Sequence, residues 1–282
     1  MKLNKFFSLL IAMFILIISC TEDNNQIATK YNQKGDKVQS VANRLEWVGV
    51  AHNDLLEYVL NNFSYELPSQ WPDYDFIDYI SDMADDYISG YFPDSLISSC
   101  GDLSDTTTMN LLIGINNVNT TISNYRYQIY NSNILTQRDI TYSIKVLDLA
   151  ENLIDSSNVL SYNDIMNRIN DVEDEILSIN WNNTENLALF SIALFKNSII
   201  FHANYSSALN KKSNNNSIQV GFTPTELTVC GTIDFIAGAA TTLSCASASG
   251  GMAAVPALVV GIKVGGKASG LANLVGRLFR WW

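Results

Sequence analysis

From Leu45 onward, apolar residues recur every three or four positions. Leu45, Val48, His52, Leu55, Val59 and Phe63 share one helical stripe. Phe76, Ile80, Met83, Tyr87 and Tyr91 share a second, and the spacing turns most of Asp75, Asp78, Asp82, Asp85 and Asp86 outward. Leu111, Ile115, Val118, Ile122, Tyr125 and Ile129 make a third, and Ile140, Ile144, Leu147 and Ile154 a fourth. Ile165, Ile169, Val172, Ile176 and Ile179 follow, then Leu187, Phe190, Leu194, Phe201 and Tyr205. Thr136-x-x-Asp139 and Ser161-x-x-Asp164 read as capping boxes opening the fourth and fifth helices. Period-two alternation is absent over any useful length. The pattern predicts an all-α fold, a bundle of about six helices.

The pattern changes near the C-terminus. Asn210 to Ser217 is polar, and the spacing predicts a linker at 211–224 between an acidic helical domain (41–210) and a tail (225–282). Nine of the 15 glycines lie between Gly231 and Gly276. Phe235 to Ile262 is a run of 28 residues without a charge, long enough to cross a bilayer once or to fold as a short helical hairpin. Small residues recur at intervals of four: Ser247 with Gly251, Gly261 with Gly265, Gly266 with Gly270. Such spacing lets helix backbones approach closely, as in membranes. Gly250-Gly251 and Pro256 interrupt a helix and mark a hairpin tip. Arg277, Phe279, Arg280, Trp281 and Trp282 have the composition of a membrane interface. The tail is expected either to associate with a membrane or to pack as a hairpin on the acidic body.

The N-terminus is different again. A basic start (Lys2, Lys5), an apolar run from Phe6 to Ile18 and Ser19-Cys20 form a signal peptide, with a run too short for a transmembrane helix. Ile17-Ile18-Ser19-Cys20 resembles the lipobox of bacterial lipoproteins. That resemblance implies a signal at 1–19, acylation of Cys20, and anchoring to the outer membrane. Thr21-Glu22-Asp23 resembles a lipoprotein surface-export signal, which implies a cell-surface location. Asn24 to Ser40 is polar and too poor in apolar residues to fold, so 20–40 is expected to be a lipidated, flexible tether.

Charge divides the chain in the same place as hydropathy. Residues 21–226 hold 27 acids against 11 Lys and Arg, whereas residues 227–282 hold Asp234 against Lys263, Lys267, Arg277 and Arg280. An acidic body argues against nucleic acid as a partner. A weakly basic, apolar tail suits anionic lipid. Besides Cys20 there are Cys100, Cys230 and Cys245; an exported protein can form a disulfide, and Cys230–Cys245 is favoured on closeness alone.

Candidate chemistry is sparse. No His-Glu-x-x-His and no Gly-x-Ser-x-Gly occurs, and no cysteines are spaced as zinc ligands. Asp73-Tyr-Asp75-Phe-Ile77 begins like a calcium loop, but Ile77 and Asp78 stand where an oxygen ligand and a glycine belong. Glu173-Asp174-Glu175 reads as a solvated face. Gly261 to Ala268 fits Gly-x4-Gly-Lys, but Ala268 replaces the Ser or Thr that holds Mg²⁺ in a P-loop. No cofactor or metal is expected. His52 lies on the apolar stripe of its helix with Asn53 next to it, either a core histidine or part of a functional polar pair. Gly49-Val-Ala-His52-Asn53-Asp-Leu-Leu56 also resembles a Gly-x-x-His-Asn-x-x-Leu pattern of bacterial surface lipoproteins with glycine-rich C-termini; it implies no activity.

Three functions remain open. The first is a non-enzymatic surface lipoprotein whose helical body binds a protein partner. The second is a membrane-acting effector, pore-forming or bacteriocin-like, working through the tail. The third, weakest on the residues, is an enzyme using His52 with Asp54 or Glu57, which mostly face away from its stripe.

Overall fold

The computed structural model describes residues 43–92, 110–212, 222–249 and 255–276. Among these residues all regular structure is helical, in agreement with the period read from the sequence. In chain order the elements are α1 (Glu46–Asn62), α2 (Tyr74–Tyr91), α3 (Val118–Tyr130), α4 (Gln137–Ser156), α5 (Tyr162–Leu177), α6 (Leu187–Lys212), α7 (Pro224–Ser249) and α8 (Val255–Leu271), closed by a π-helical turn at Ala272–Gly276. The described helices belong to one compact unit.

Local chemistry fixes the helix starts. Asp73 caps α2 by accepting from the Phe76 N–H at 3.0 Å, and Asn117 caps α3 by accepting from Thr120 at 3.0 Å. The Asn117 cap splits the expected third stripe: Val118, Ile122, Tyr125 and Ile129 lie on α3, while Leu111 and Ile115 precede it. Ser161 and Asp164 exchange both bonds of a capping box at α5. At α4 only half of the expected box forms. Thr136 Oγ1 accepts from the Asp139 N–H at 3.1 Å, but the Asp139 carboxylate turns inward to the backbone N–H groups of Leu187 and Ala188, at the start of α6. The buried face of α4 is rotated to match: Asp139, Ser143, Val146 and Ala150 are buried, and Ile140 and Ile154 are half-exposed.

The outer helices are amphipathic, and the inner ones are not. On α2, Phe76, Ile80 and Met83 are buried, and Asp75, Asp78, Asp82 and Asp86 face solvent; Tyr91 is exposed, against its place on the expected stripe. In α7 every residue from 227 to 243 is buried, and in α8 every residue from 257 to 270. A helix buried on all sides belongs to the centre of a bundle or to a membrane. Here α7 packs most extensively on α8 and α6, and α8 also packs on α1 and α2. The glycine-rich segment is thus a hairpin at the centre of the fold, not an appendage on its surface.

The glycines explain how it fits. A Cβ on Gly238 of α7 would lie 2.9 Å from the Gly261 carbonyl oxygen of α8, so the two helices touch backbone to backbone. On α8, Gly261 and Gly265 face α7, while Gly266 and Gly270 face Leu55 and Val59 of α1. Of the three small-residue pairs in the sequence, these two serve different neighbours, and Gly251 of the third lies outside the described residues.

Candidate functional site

Two features of the hairpin stand out: its length, and the polar groups that hold it. Pro224–Ser247 and Pro256–Gly276 are each long and apolar enough to cross a membrane, and in the apolar 18-residue stretch of each, 94% and 89% of the residues are buried inside the protein. Leu187–Tyr205 of α6 meets the same criteria at 72% buried. In this arrangement the apolar sides of all three meet protein.

Asp234 is the only acid after Glu226, and it sits on α7 with no solvent exposure. A lone buried carboxylate needs partners. Its Oδ2 accepts from Ser198 Oγ of α6, from Ser269 Oγ of α8 at 2.8 Å and from His202 Nε2 of α6 at 3.0 Å. Asn273, on the π-helical turn, places its Nδ2 3.2 Å from His202 Nδ1. An amide N–H donating to Nδ1 leaves the ring proton on Nε2, where it points at Asp234.

His52 of α1 completes the cluster. It is fully buried, and its Nδ1 donates to Asn53 Oδ1 at 3.1 Å. Asn53 in turn donates to the Asn197 carbonyl oxygen at 2.9 Å, tying α1 to α6. His52 Nε2 stands 4.0 Å from Asp234 Oδ2. Burial pushes the His52 pKa below its ordinary value; Asp234 and Asn53 oppose this less strongly, and His202 adds to it. The expected polar pair lies in a buried polar cluster whose other groups come from α6, α7, α8 and the π-turn.

The hairpin's other charges are also held. Lys263 Nζ lies 2.6 Å from Asp85 Oδ1, and Lys267 Nζ lies 3.4 Å from the same oxygen. Both lysines are almost fully buried, whereas Asp85 is half-exposed, unlike its outward-facing neighbours on α2. A second ionic group joins α1, α5 and α6. Lys196 bonds both oxygens of Glu173, at 2.8 and 2.9 Å, and lies 3.3 Å from Glu46. Glu173 is buried, so only Asp174 and Glu175 form the solvated face expected for that acidic run.

The expected Cys230–Cys245 disulfide does not form. Both residues lie on α7, where 15 positions along a helix separate them by about 22 Å, far beyond disulfide reach. Cys230 is a buried thiol, and Cys245 is disulfide-bonded elsewhere. Cys20, the tether, and the terminal Arg277, Phe279, Arg280, Trp281 and Trp282 lie outside the described residues. Among the described residues no group of three or more His, Cys, Asp or Glu is placed to hold a metal ion.

Ser198, His202, Asp234, Ser269 and Asn273 were not singled out by sequence reasoning. Some signal was there. Ser198 with His202 and Ser269 with Asn273 are pairs four apart on otherwise apolar helices, and Asp234 is a lone acid in an apolar run. What the sequence did not show was that they meet. No family model, curated protein or solved structure matches the chain.

Proposed function

We propose that this is an exported, lipid-anchored protein that carries a membrane-inserting helical hairpin, α7–α8, shielded inside its own bundle. The observation that carries this reading is the enclosure of two membrane-length, nearly uncharged helices by helices with acidic outer faces. A helical hairpin bonds its own backbone, so it needs no new polar partners on entering lipid. The lipid anchor at Cys20 would keep the bundle beside a bilayer.

The charges on the hairpin favour a polar-lined opening over a passive anchor. Asp234 packs against Gly265, so it stands level with Lys263 and Lys267 on the neighbouring helix. A charged group at the middle of a membrane helix costs about 3 kcal/mol or more, and such groups face a partner or a water-filled path. An inserted α7–α8 pair would carry one acid and two lysines at a common depth.

A cross-link tests this reading. A Cβ on Gly270 would lie 3.4 Å from Val59 Cγ1, so Val59→Cys with Gly270→Cys joins α8 to α1. The oxidised variant is expected to release no dye from anionic vesicles, and to recover release on reduction, with the wild type under reductant as the control. Equal release from the locked and unlocked forms, or none from either or from the wild type, refutes the proposal.

A second reading keeps the hairpin packed throughout and assigns the function to a protein-binding outer surface. It draws on the fit of the glycines, since Gly238, Gly261 and Gly266 already have close neighbours within the fold. A cross-link that changes nothing in a partner pull-down, together with vesicles left intact, is the outcome it predicts.

A further inference from the structure

We propose that one end of the bundle, carrying Tyr65, Leu67, Tyr74, Val159 and Tyr162, is the face that docks on a bilayer, with these side chains seated at the level of zwitterionic headgroups. The proposal rests on the hairpin reading above for its partner and adds where the closed bundle meets lipid. The helix directions bring the five residues to one end. Gly266 packs on Leu55, and Gly270 on Val59 and Ile80, so α8 runs parallel to α1 and both finish beside the loop between α1 and α2. Gly238 meets Gly261, and the Asp234 carbonyl oxygen meets Gly265, so α7 runs antiparallel to α8 and starts where α8 finishes. Ser157 Oγ donates to Thr225 Oγ1 at 2.9 Å, which brings the turn between α4 and α5 to the start of α7. Tyr65 and Leu67 stand on the first loop and Tyr74 opens α2; Val159 stands on the second turn and Tyr162 opens α5. All five are between 36% and 79% exposed.

The α1–α2 side of this face is held in shape. The Tyr65 ring centre lies 4.9 Å from that of Tyr79 and 5.9 Å from that of Phe76. The Ser64 N–H donates to the Tyr79 hydroxyl at 3.1 Å, and Trp71 Nε1 donates to the Ile113 carbonyl oxygen at 3.4 Å. Exposed rings already fixed by their neighbours lose little freedom on binding, so more of their apolar burial is available to hold a partner.

Three observations make the partner a lipid surface. A tyrosine ring has an apolar body and a polar tip, the character enriched where membrane meets water. Both membrane-length helices, α7 at its start and α8 at its finish, reach this end. The last six residues of the chain follow Gly276 of the π-turn directly, and they include Arg277, Phe279, Arg280, Trp281 and Trp282. Charge narrows the kind of lipid. Glu66 and Asp75 are exposed at this end, and Asp73, Asp164 and Glu226 serve helix caps there. With Arg277 and Arg280 next in the chain, both signs are present, which suits zwitterionic headgroups better than a uniformly anionic surface.

The test puts one polarity-sensitive fluorophore on the full chain, through Leu67→Cys or Val159→Cys at this end or Tyr130→Cys at the other, and adds phosphatidylcholine vesicles. Tyr130 marks the opposite end because it closes α3 just before the Thr136–Glu185 contact, where α4 and α6 begin and Asn43, ahead of α1, bonds the Leu189 carbonyl oxygen. Signal from wild-type chain treated with the same dye is subtracted. Labels at 67 and 159 are expected to shift to the blue and to be quenched from within the lipid, while the label at 130 stays in water. Tyr65→Ser with Tyr74→Ser is expected to cut the shifted fraction of the label at 67 by about tenfold, because two rings no longer enter the interface. The two end positions lie on different turns, so a chain that fails to fold with one label leaves the other to decide. A label at 67 or 159 that stays in water on a folded chain, or an equal shift at 130, overturns the docking face. A shift seen without vesicles and lost on dilution shows a second copy of the chain covering this end, and also overturns it. Dye release from anionic vesicles by the same chains reports on the hairpin separately. A docked end without release upholds the docking face and refutes the hairpin reading; release while the labels at 67 and 159 stay in water refutes the docking face alone.

Discussion

Gly261 of α8 lies so close to α7 that a Cβ on it would stand 2.8 Å from the Gly238 carbonyl oxygen and 1.9 Å from Thr242 Oγ1. The Thr242 hydroxyl can rotate away, but the backbone oxygen cannot. Gly261→Ala is therefore expected to force the hairpin apart and to cost about 2 kcal/mol, the scale of overpacking in a dense core. Gly90 on α2 is the control, because a Cβ there meets nothing within 4 Å. Gly90→Ala is expected to be neutral or to stabilise by up to about 1 kcal/mol. Urea midpoints of the two variants check the pair; an equal loss in both would contradict the packing described.

Lys196 sits between Glu173 and Glu46, so its removal strands carboxylates that are wholly or partly buried. Burial already pushes the Glu173 pKa up, with Lys196 opposing it. Lys196→Met is expected to destabilise the fold by about 3 kcal/mol at neutral pH. The loss should shrink in the double variant with Glu173→Gln, which removes one stranded charge. A double variant no more stable than the single one would show that the pairing adds little.

Asp139 gives a pH signature opposite in sign to that of His52. Burial raises its pKa to about 7, from 3.8. Between those values the folded state holds the proton and the unfolded state does not, so Asp139 adds stability as pH falls through the window and loses it as pH rises toward 7. His52, with a lowered pKa, does the reverse below about pH 6.5. The two contributions therefore oppose each other on mild acidification. For Asp139→Asn, the stability difference from wild type is expected to be larger at pH 5 than at pH 8, by denaturant titration at each. A difference independent of pH would contradict the assignment.

Thr223 opens α7 by a reciprocal exchange with Glu226: the Thr223 N–H donates to Glu226 Oε2 at 2.7 Å, and Thr223 Oγ1 accepts from the Glu226 N–H at 3.2 Å. Pro224 follows in the first helical position, where its missing N–H costs nothing. Thr223→Ala is expected to cost about 1 kcal/mol, seen as faster exchange at the start of α7. Unchanged exchange there would mean that packing alone sets the helix start.

The Thr223 box shows how much was open to reading. Thr-Pro-Thr-Glu carries the same signature as Ser161-x-x-Asp164, yet it lies at the boundary between the expected linker and tail, and α6 runs into that linker as far as Lys212. Helices with one apolar face could be read residue by residue, as at Phe76, Ile80 and Met83 of α2. Helices apolar all round could not. The composition of α7 and α8 says that they avoid water, and both a bundle core and a bilayer satisfy that. Asp139 illustrates a different limit. Its spacing from Thr136 signals a capping box, but the start of α6, nearly 50 positions on, competes for the same carboxylate and wins. His52 was visible as an oddity, while its relation to Asp234 and His202 depends on three helices far apart in sequence.

Hydrogen exchange of the full chain, in buffer and then bound to anionic vesicles, tests the central claim most directly. A hairpin that moves from protein to lipid keeps its protection at 227–243 and 257–270, while α1 to α5 lose theirs as the bundle opens around it. A chain whose α1 to α5 stay as protected on vesicles as in buffer has kept its bundle closed, and would contradict the account.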